Sequence, residues 1–117
     1  MNYDLSDTKT IEKAEIYKTT FKVEGREFVY IGLDTKCNGE YFGSSLIIYH
    51  YKRIYGKSIF KKEVLESFAQ ISYVNLCTIE QQYIKQYKKD QKKNKYLSVN
   101  YTGENKANAT SWLWYEF

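Results

Sequence analysis

Two β-rich runs joined by a glycine turn constrain the fold of this chain more than any other feature of its sequence. The runs AEIYKTTFKV and EFVYIGL, which lie within residues 14–33, are rich in β-branched and aromatic residues. Gly25 lies between them and supplies the positive φ that a tight connection needs, so the pattern predicts a β-hairpin. The second run is nearly continuous in apolar character, which predicts a strand that is covered on both faces.

Two helices and a third strand are predicted after the hairpin. The first helix follows the serines at 44 and 45, which offer an N-cap, and runs to about Tyr55. The second helix is capped by Ser72 and runs to about Lys89. The apolar positions of residues 58–68 favour a strand between them. This order predicts an α+β fold with a small, largely antiparallel three-stranded sheet flanked by helices.

Length and composition predict one folded domain over residues 1–117. The net charge of +4 is compatible with a polyanionic partner. No apolar run approaches the roughly 18–20 residues that span a bilayer, and the N-terminus lacks a signal-peptide pattern. We therefore expect no membrane association and a cytoplasmic protein. Cys37 and Cys77 are far apart in sequence, which predicts two free thiols.

The carboxylate of Glu80 falls on the apolar side of the second predicted helix. At about 100° per residue, Leu76, Tyr83 and Tyr87 lie in a narrow sector and Glu80 lies near the middle of the same arc. A carboxylate on an apolar face is costly unless it is paired or binds a cation. Two interpretations follow: a buried ion pair with a lysine, or a metal-binding or acid–base carboxylate.

Five motifs in order resemble the GIY-YIG nuclease superfamily over about residues 14–103. The first two are Glu15-Ile16-Tyr17 and Tyr30-Ile31-Gly32, on the two arms of the hairpin. The third is one continuous run over residues 40–66, in which EYFGSS is followed by an apolar helix ending in IYG and then by FKKEVLE, and it is similar to the phage and mobile-element branch. Glu80 in IEQQYI and Asn100 in VNYTG match the helical glutamate and the downstream asparagine of that branch.

The resemblance implies divalent-metal hydrolysis of DNA phosphodiester bonds. A Mg²⁺ or Mn²⁺ ion on Glu80 would supply Lewis acidity and stabilise the leaving oxygen. Tyr17 is similar to the family residue that activates or orients the attacking water, and Tyr30 would place a second hydroxyl on the phosphate. Asn100 would hold part of the site together or contact the phosphate.

The sequence departs from the family at two places. Glu15 replaces the first glycine of the first motif. The helical arginine has no unambiguous counterpart: His50 lies closest to the expected position, Arg53 is the arginine of that helix, and Tyr51 in that position would leave the site without a cation. As a neutral imidazole, His50 would stabilise phosphate charge less well than arginine.

Lysines are the predicted contacts to DNA. The stretch 85–95 is either a solvated helix end or a surface that binds phosphates without sequence choice. The candidate DNA-binding lysines, with one from the first helix, are Lys52, Lys88, Lys89, Lys92 and Lys93.

About 14 residues follow Gly103, too few for the separate sequence-reading region of homing enzymes. We therefore expect low sequence specificity, or specificity from a protein partner or a homodimer. The aromatic tail 104–117, with Trp112 and Trp114, is a candidate docking segment.

Two functions are therefore expected. The first is an active DNA endonuclease, encoded by a phage or mobile element and acting in the host cytoplasm. The alternative is a catalytically impaired accessory or inhibitor protein on the same fold, which binds DNA or protein. The missing counterpart of the helical arginine favours the alternative.

Overall fold

The computed structural model describes residues 9–100, so the predicted aromatic tail 104–117 lies outside the described residues. Residues 9–100 have an α+β architecture in which two α-helices accompany a four-stranded mixed sheet of order β3-β1-β2-β4. The elements in chain order are β1 (Thr10–Val23), β2 (Arg26–Asp34), α1 (Leu46–Tyr55), a 3₁₀ helix (Lys57–Ile59), β3 (Lys61–Ser72), α2 (Tyr73–Asp90) and β4 (Leu97–Ser98).

The predicted hairpin is confirmed, and its register positions the residues of the first two motifs. Val23 pairs with Arg26, and the turn between them has positive φ at both Glu24 (52°) and Gly25 (80°). This combination is typical of the type I′ turn, whose twist matches that of the flanking strands. The antiparallel register then places Tyr17 opposite Gly32.

The number of strands was predicted wrongly. The sheet has four strands because Leu97–Ser98 pairs with β2 in the parallel direction, opposite Phe28 and Val29. Two residues are too few to produce an alternating apolar pattern, so the sequence carried no signal for this strand. The first strand also begins at Thr10, four residues before the predicted start, because its first residues pair with the end of β3.

Each face of the sheet buries a separate core, because successive residues of a strand point to opposite faces. On one face, Phe21 and Phe28 pack with Ile47, Ile48 and Tyr51 of α1. On the other face, the buried members are Ala14, Ile16, Val29, Ile31, Leu76, Ile84 and Tyr96. Strand β2 contributes to both cores, which confirms the prediction of a strand covered on both sides.

Both helices begin at the predicted caps. The Ser45 hydroxyl accepts a hydrogen bond from the Ile47 N–H (3.2 Å), and the Ser72 hydroxyl accepts one from the Asn75 N–H (3.3 Å). Each bond satisfies an N–H that the first helical turn leaves without a partner. Both cysteines are free thiols, as predicted. No helix within residues 9–100 is long and apolar enough to cross a membrane.

Candidate functional site

Three tyrosine rings meet on the sheet face that carries α1, and we call them the tyrosine cluster. Tyr17 on β1 and Tyr30 on β2 have ring centroids 6.4 Å apart. Tyr41, from the loop after β2, meets the Tyr17 ring edge-on at 6.0 Å. Tyr17 is 1% exposed, whereas Tyr41 is 38% exposed. The two tyrosines predicted from the motifs therefore lie together, beside a third that the sequence did not single out.

Two glycines make room for these rings. A Cβ on Gly32 would overlap the hydroxyl and ring carbons of Tyr17, and a Cβ on Gly43 would lie 2.5 Å from the Tyr30 ring. Gly43 also has a φ of 131°, which side-chain-bearing residues rarely adopt. The glycine of the second motif thus has a packing role: it lets the Tyr17 side chain lie across β2.

A buried ion pair borders the tyrosine cluster. Lys62 Nζ lies 2.8 Å from Asp34 Oδ2, and the side chains are only 5% and 4% exposed. The same ammonium donates to the Asn38 carbonyl (2.6 Å) and lies 4.5 Å from the centre of the Tyr17 ring. Lys62 therefore joins β3, the loop after β2 and the face of Tyr17, and it places a positive charge against the cluster.

Asp34 is saturated with hydrogen bonds. Besides the ammonium of Lys62, its carboxylate accepts from the backbone N–H groups of Lys36, Cys37 and Asn38 at 2.7–3.0 Å. Burial alone would raise the pKa of Asp34, but the bonds from Lys62, Asn38 and Lys36 outweigh it and lower the pKa. Asp34 is an ionised residue that holds the loop in one conformation.

Burial favours the protonated form of the Tyr17 and Tyr30 hydroxyls. Burial raises the pKa of Tyr17 well above its ordinary value, and Tyr30, Tyr41, Asp34 and Glu80 act in the same direction. Burial also raises the pKa of Tyr30, although hydrogen bonding with Ser44 opposes the change. A protonated phenol donates a hydrogen bond and takes no proton from water. The geometry therefore favours the orienting role predicted for Tyr17 over the activating one.

Glu80 lies on the buried stripe of α2, between Leu76 and Ile84, as its pattern predicted. The side chain is half-buried, and burial raises the pKa of its carboxyl group. Within residues 9–100 this carboxylate has no hydrogen bond and no ion pair. Burial is the main cause of the raised pKa of Tyr17 and of Tyr30, and the charge of Glu80 is a minor contribution to both.

Asn100 bonds to the edge of β2 on which β4 pairs. Its side-chain oxygen accepts from the Ile31 N–H and its amide donates to the Ile31 carbonyl, both at 2.8 Å. Ile31 lies between Tyr30 and Gly32, so this pair of bonds fixes the strand that carries them. Of the two roles predicted for Asn100, these contacts serve the first, which is to hold the site together.

The candidate helical cations make their contacts along α1. The His50 ring meets Tyr51 edge-on with centroids 4.9 Å apart, and the Arg53 guanidinium lies 5.9 Å from the Tyr49 ring centre. Within residues 9–100 neither has a hydrogen bond, ion pair or ring contact with the tyrosine cluster or Glu80. The cation that the described residues bring to Tyr17 is Lys62.

The predicted DNA-binding lysines differ in exposure. Lys88 is half-buried and burial lowers the pKa of its ammonium, so it is the least available of them to a phosphate. The others lie on α1, at the end of α2 and in the turn that follows. These exposed lysines are Lys52, Lys89, Lys92 and Lys93.

The donor set suits a magnesium ion held by one protein ligand. Within residues 9–100, no three His, Cys, Asp or Glu side chains come together as a metal-binding group. Mg²⁺ commonly keeps several waters and takes one or two carboxylates together with substrate phosphates. Glu80, a half-buried carboxylate without a cation partner within residues 9–100, meets that requirement.

Sequence reasoning missed Asp34 and Lys62, and the reason is geometric. Lys62 lies directly opposite Thr19 in the pairing of β1 with β3, past a register irregularity between Ile16 and Tyr17. Only the register shows that this lysine reaches Asp34, 28 positions earlier. Asp34 itself carried a signal, since aspartate often accepts backbone N–H bonds at the start of a turn.

Comparisons of the chain with protein-family models, with curated proteins and with solved structures gave no match.

Proposed function

We propose that this chain is a GIY-YIG-type, Mg²⁺-dependent DNA endonuclease of low sequence specificity, of the kind that phages and mobile elements encode. The observation that carries the proposal is the state of Glu80, which lies half-buried on the buried stripe of α2 and has no hydrogen bond or ion pair among residues 9–100. A carboxylate kept in that state costs stability, and such costs are concentrated at functional sites.

Each residue of the site has a distinct task in this mechanism. Glu80 would hold Mg²⁺, with Mn²⁺ as a substitute, and the ion supplies Lewis acidity to the phosphate when bound. Tyr17 and Tyr30 keep their protons and donate hydrogen bonds that orient the phosphate and the attacking water. Lys62 adds positive charge over the Tyr17 ring, and Asn100 keeps Tyr30 and Gly32 in place.

The exposed lysines provide binding without sequence choice. Lys89, Lys92 and Lys93 would contact phosphates along the duplex, with Lys52 contributing from α1. Contacts of this kind weaken steeply with added salt. Sequence preference would come from a protein partner or a second copy of the chain.

A second function has one observation in its favour. The ammonium of Lys62 already neutralises Asp34, so the charge it leaves for a phosphate is smaller than that of an unpaired arginine. This supports the alternative of a catalytically impaired accessory or inhibitor protein that binds DNA or a protein without cleaving.

Conversion of supercoiled plasmid to the nicked form, with Mg²⁺ or with EDTA, separates the two functions. Nuclease activity requires nicking that depends on Mg²⁺, is lost in Glu80→Gln and is strongly reduced in Tyr17→Phe. Glu63→Gln is the matched control, because that carboxylate is 64% exposed and pairs with Lys18. DNA binding without nicking by the wild type would favour the accessory protein, and nicking by Glu80→Gln at the wild-type rate would refute the metal-ligand assignment.

A further inference from the structure

Tyr41 differs from the other two tyrosines of the cluster because it is open to solvent. Its ring is 38% exposed, yet it lies 6.0 Å from the buried ring of Tyr17 and 5.9 Å from the ammonium of Lys62. An exposed aromatic ring next to a reactive centre is a surface on which a planar group of the substrate can stack.

A cavity of about 410 Å³ opens beside this ring. It is lined by Leu33, Asp34, Thr35, Lys36, Asn38 and Tyr41. The volume falls at the lower end of the range for small-molecule sites, which suits one planar ring system better than several.

The walls of the cavity combine an aromatic face with polar groups and a cation. Lys36 is exposed and has no ion pair within residues 9–100, so its ammonium is available to an anion. The Asn38 side-chain oxygen accepts from the Glu40 N–H, which leaves its amide N–H groups and the Thr35 hydroxyl to meet polar edges. The cavity thus offers a ring for stacking, polar groups that can meet the edge of a base, and a cation that can meet a phosphate. These three features together fit a nucleotide.

The loop that forms the cavity is already ordered. Asp34 accepts three of its backbone N–H groups, the Tyr41 N–H donates to the Asn38 carbonyl (3.0 Å), and Lys62 donates to the same carbonyl. A preformed site loses little conformational freedom on binding, which favours affinity.

We infer that this cavity binds an unpaired nucleobase of the DNA strand, stacked on Tyr41, next to the phosphate at Tyr17 and Glu80. The inference rests on the proposed nuclease function and names its substrate class. A base inside a duplex is stacked on its neighbours and must first be extruded before it can enter such a cavity, whereas an unpaired base enters without that cost. The preferred substrate is therefore DNA with unpaired nucleotides at the cleavage point, such as a single strand, a flap or a junction, and an uninterrupted duplex is a poorer substrate.

Binding in EDTA tests the inference apart from catalysis. The probe is a short single-stranded oligonucleotide with a central 2-aminopurine, compared with the same strand annealed to its complement. We expect the single strand to bind wild-type protein more tightly than the duplex, with quenching of 2-aminopurine by stacking. Tyr41→Ala should weaken single-strand binding by about 10- to 100-fold and abolish the quenching. Tyr41→Phe, which keeps the ring, should retain both.

Tyr49→Ala is the matched control, because Tyr49 is 62% exposed and lies on α1 against Arg53. Wild-type affinity in Tyr41→Ala, or equal binding of duplex and single strand without quenching, would overturn the base site. Plasmid nicking that depends on Mg²⁺ and Glu80 in that same preparation would leave the nuclease proposal standing. Absence of both DNA binding and nicking would overturn the two together, and binding of an RNA strand in preference to DNA would overturn the DNA assignment.

Discussion

Asp34 and Glu80 are both carboxylates removed from water near the same tyrosine, yet their surroundings are opposite. Asp34 accepts hydrogen bonds from three backbone N–H groups and forms an ion pair with Lys62, and its pKa is lowered. Glu80 has no such partner within residues 9–100, and burial raises its pKa. A saturated carboxylate stabilises the fold, whereas an unsaturated one destabilises it and keeps its oxygens available to a ligand.

We therefore assign a structural role to Asp34 and propose a functional role for Glu80. Removing the partner of Asp34 leaves a buried charge without compensation, so the fold should suffer. Neutralising Glu80 removes a cost, so the fold should gain while the chemistry is lost. Four predictions test this division, in order of decreasing effect.

The largest effect should come from Lys62→Met. This change keeps an unbranched side chain but leaves Asp34 buried without its cation, which costs about 3–5 kcal/mol of the free energy of unfolding. Urea denaturation followed by far-UV circular dichroism measures the loss. Lys61→Met is the control, because Lys61 precedes Lys62 on the same strand, is exposed and has no ion pair within residues 9–100. Equal stability of the two variants would show that the Asp34–Lys62 pair contributes nothing to the fold.

Glu80→Gln should reduce Mg²⁺-dependent cleavage by at least about 100-fold, equivalent to about 2.7 kcal/mol of transition-state stabilisation. The isosteric amide removes the charge and keeps the shape, so the stability of the fold should stay the same or rise. Asp34→Asn should have the opposite effect on the fold, because it lowers the free energy of unfolding. Initial nicking rates and the midpoint of thermal unfolding, measured on one preparation of each variant, make the comparison. A Glu80→Gln protein that loses both activity and stability would contradict the division.

The sequence predicted the parts of this picture that depend on local pattern. The hairpin followed from Gly25 and its flanking runs, both helix starts followed from serine caps, and the unusual place of Glu80 followed from helical periodicity. The ion pair of Lys62 with Asp34 was not predictable, because it depends on the register of β3 against β1. The fourth strand was missed because its two residues are too few to show an alternation of apolar and polar side chains.

The sequence also left the protonation of Tyr17 undetermined. Its motif indicated either activation or orientation of water, and the choice depends on burial, which is a property of the packed structure. The depth of the Tyr17 ring depends in turn on the absence of a side chain at Gly32, on the neighbouring strand.

Gly32→Ala should therefore have an intermediate effect. The added methyl group would overlap the ring of Tyr17, which is buried and has little room to move. Overpacking of this kind costs about 1–3 kcal/mol, and here it would also displace the hydroxyl from the site. Gly39→Ala is the matched control, because nothing lies within 4 Å of a Cβ placed there. We expect Gly32→Ala to unfold at a lower urea concentration and to nick plasmid more slowly than Gly39→Ala. If Gly32→Ala and Gly39→Ala had the same stability and the same nicking rate, neither the fold nor cleavage would depend on the present position of the Tyr17 ring.

The smallest effect is a difference in how the two carboxylates link stability to pH. Asp34 has a lowered pKa, so the stability it contributes is present above its unfolded value and is lost as the pH falls through the folded value. Glu80 has a raised pKa, so its burial costs no charge desolvation at a pH below its unfolded pKa. The protein then loses stability as the pH rises from the unfolded pKa through the folded pKa of Glu80. The advantage in stability of wild type over Asp34→Asn should therefore shrink in acid below about pH 4. Above about pH 4, the stability of wild type should fall relative to that of Glu80→Gln. Urea denaturation from pH 2.5 to 7 in EDTA measures both. The stability of wild type minus that of the variant should therefore change in opposite directions with pH for the two variants. If both differences rose with pH, Glu80 would have a compensating cation, and its contrast with Asp34 would disappear.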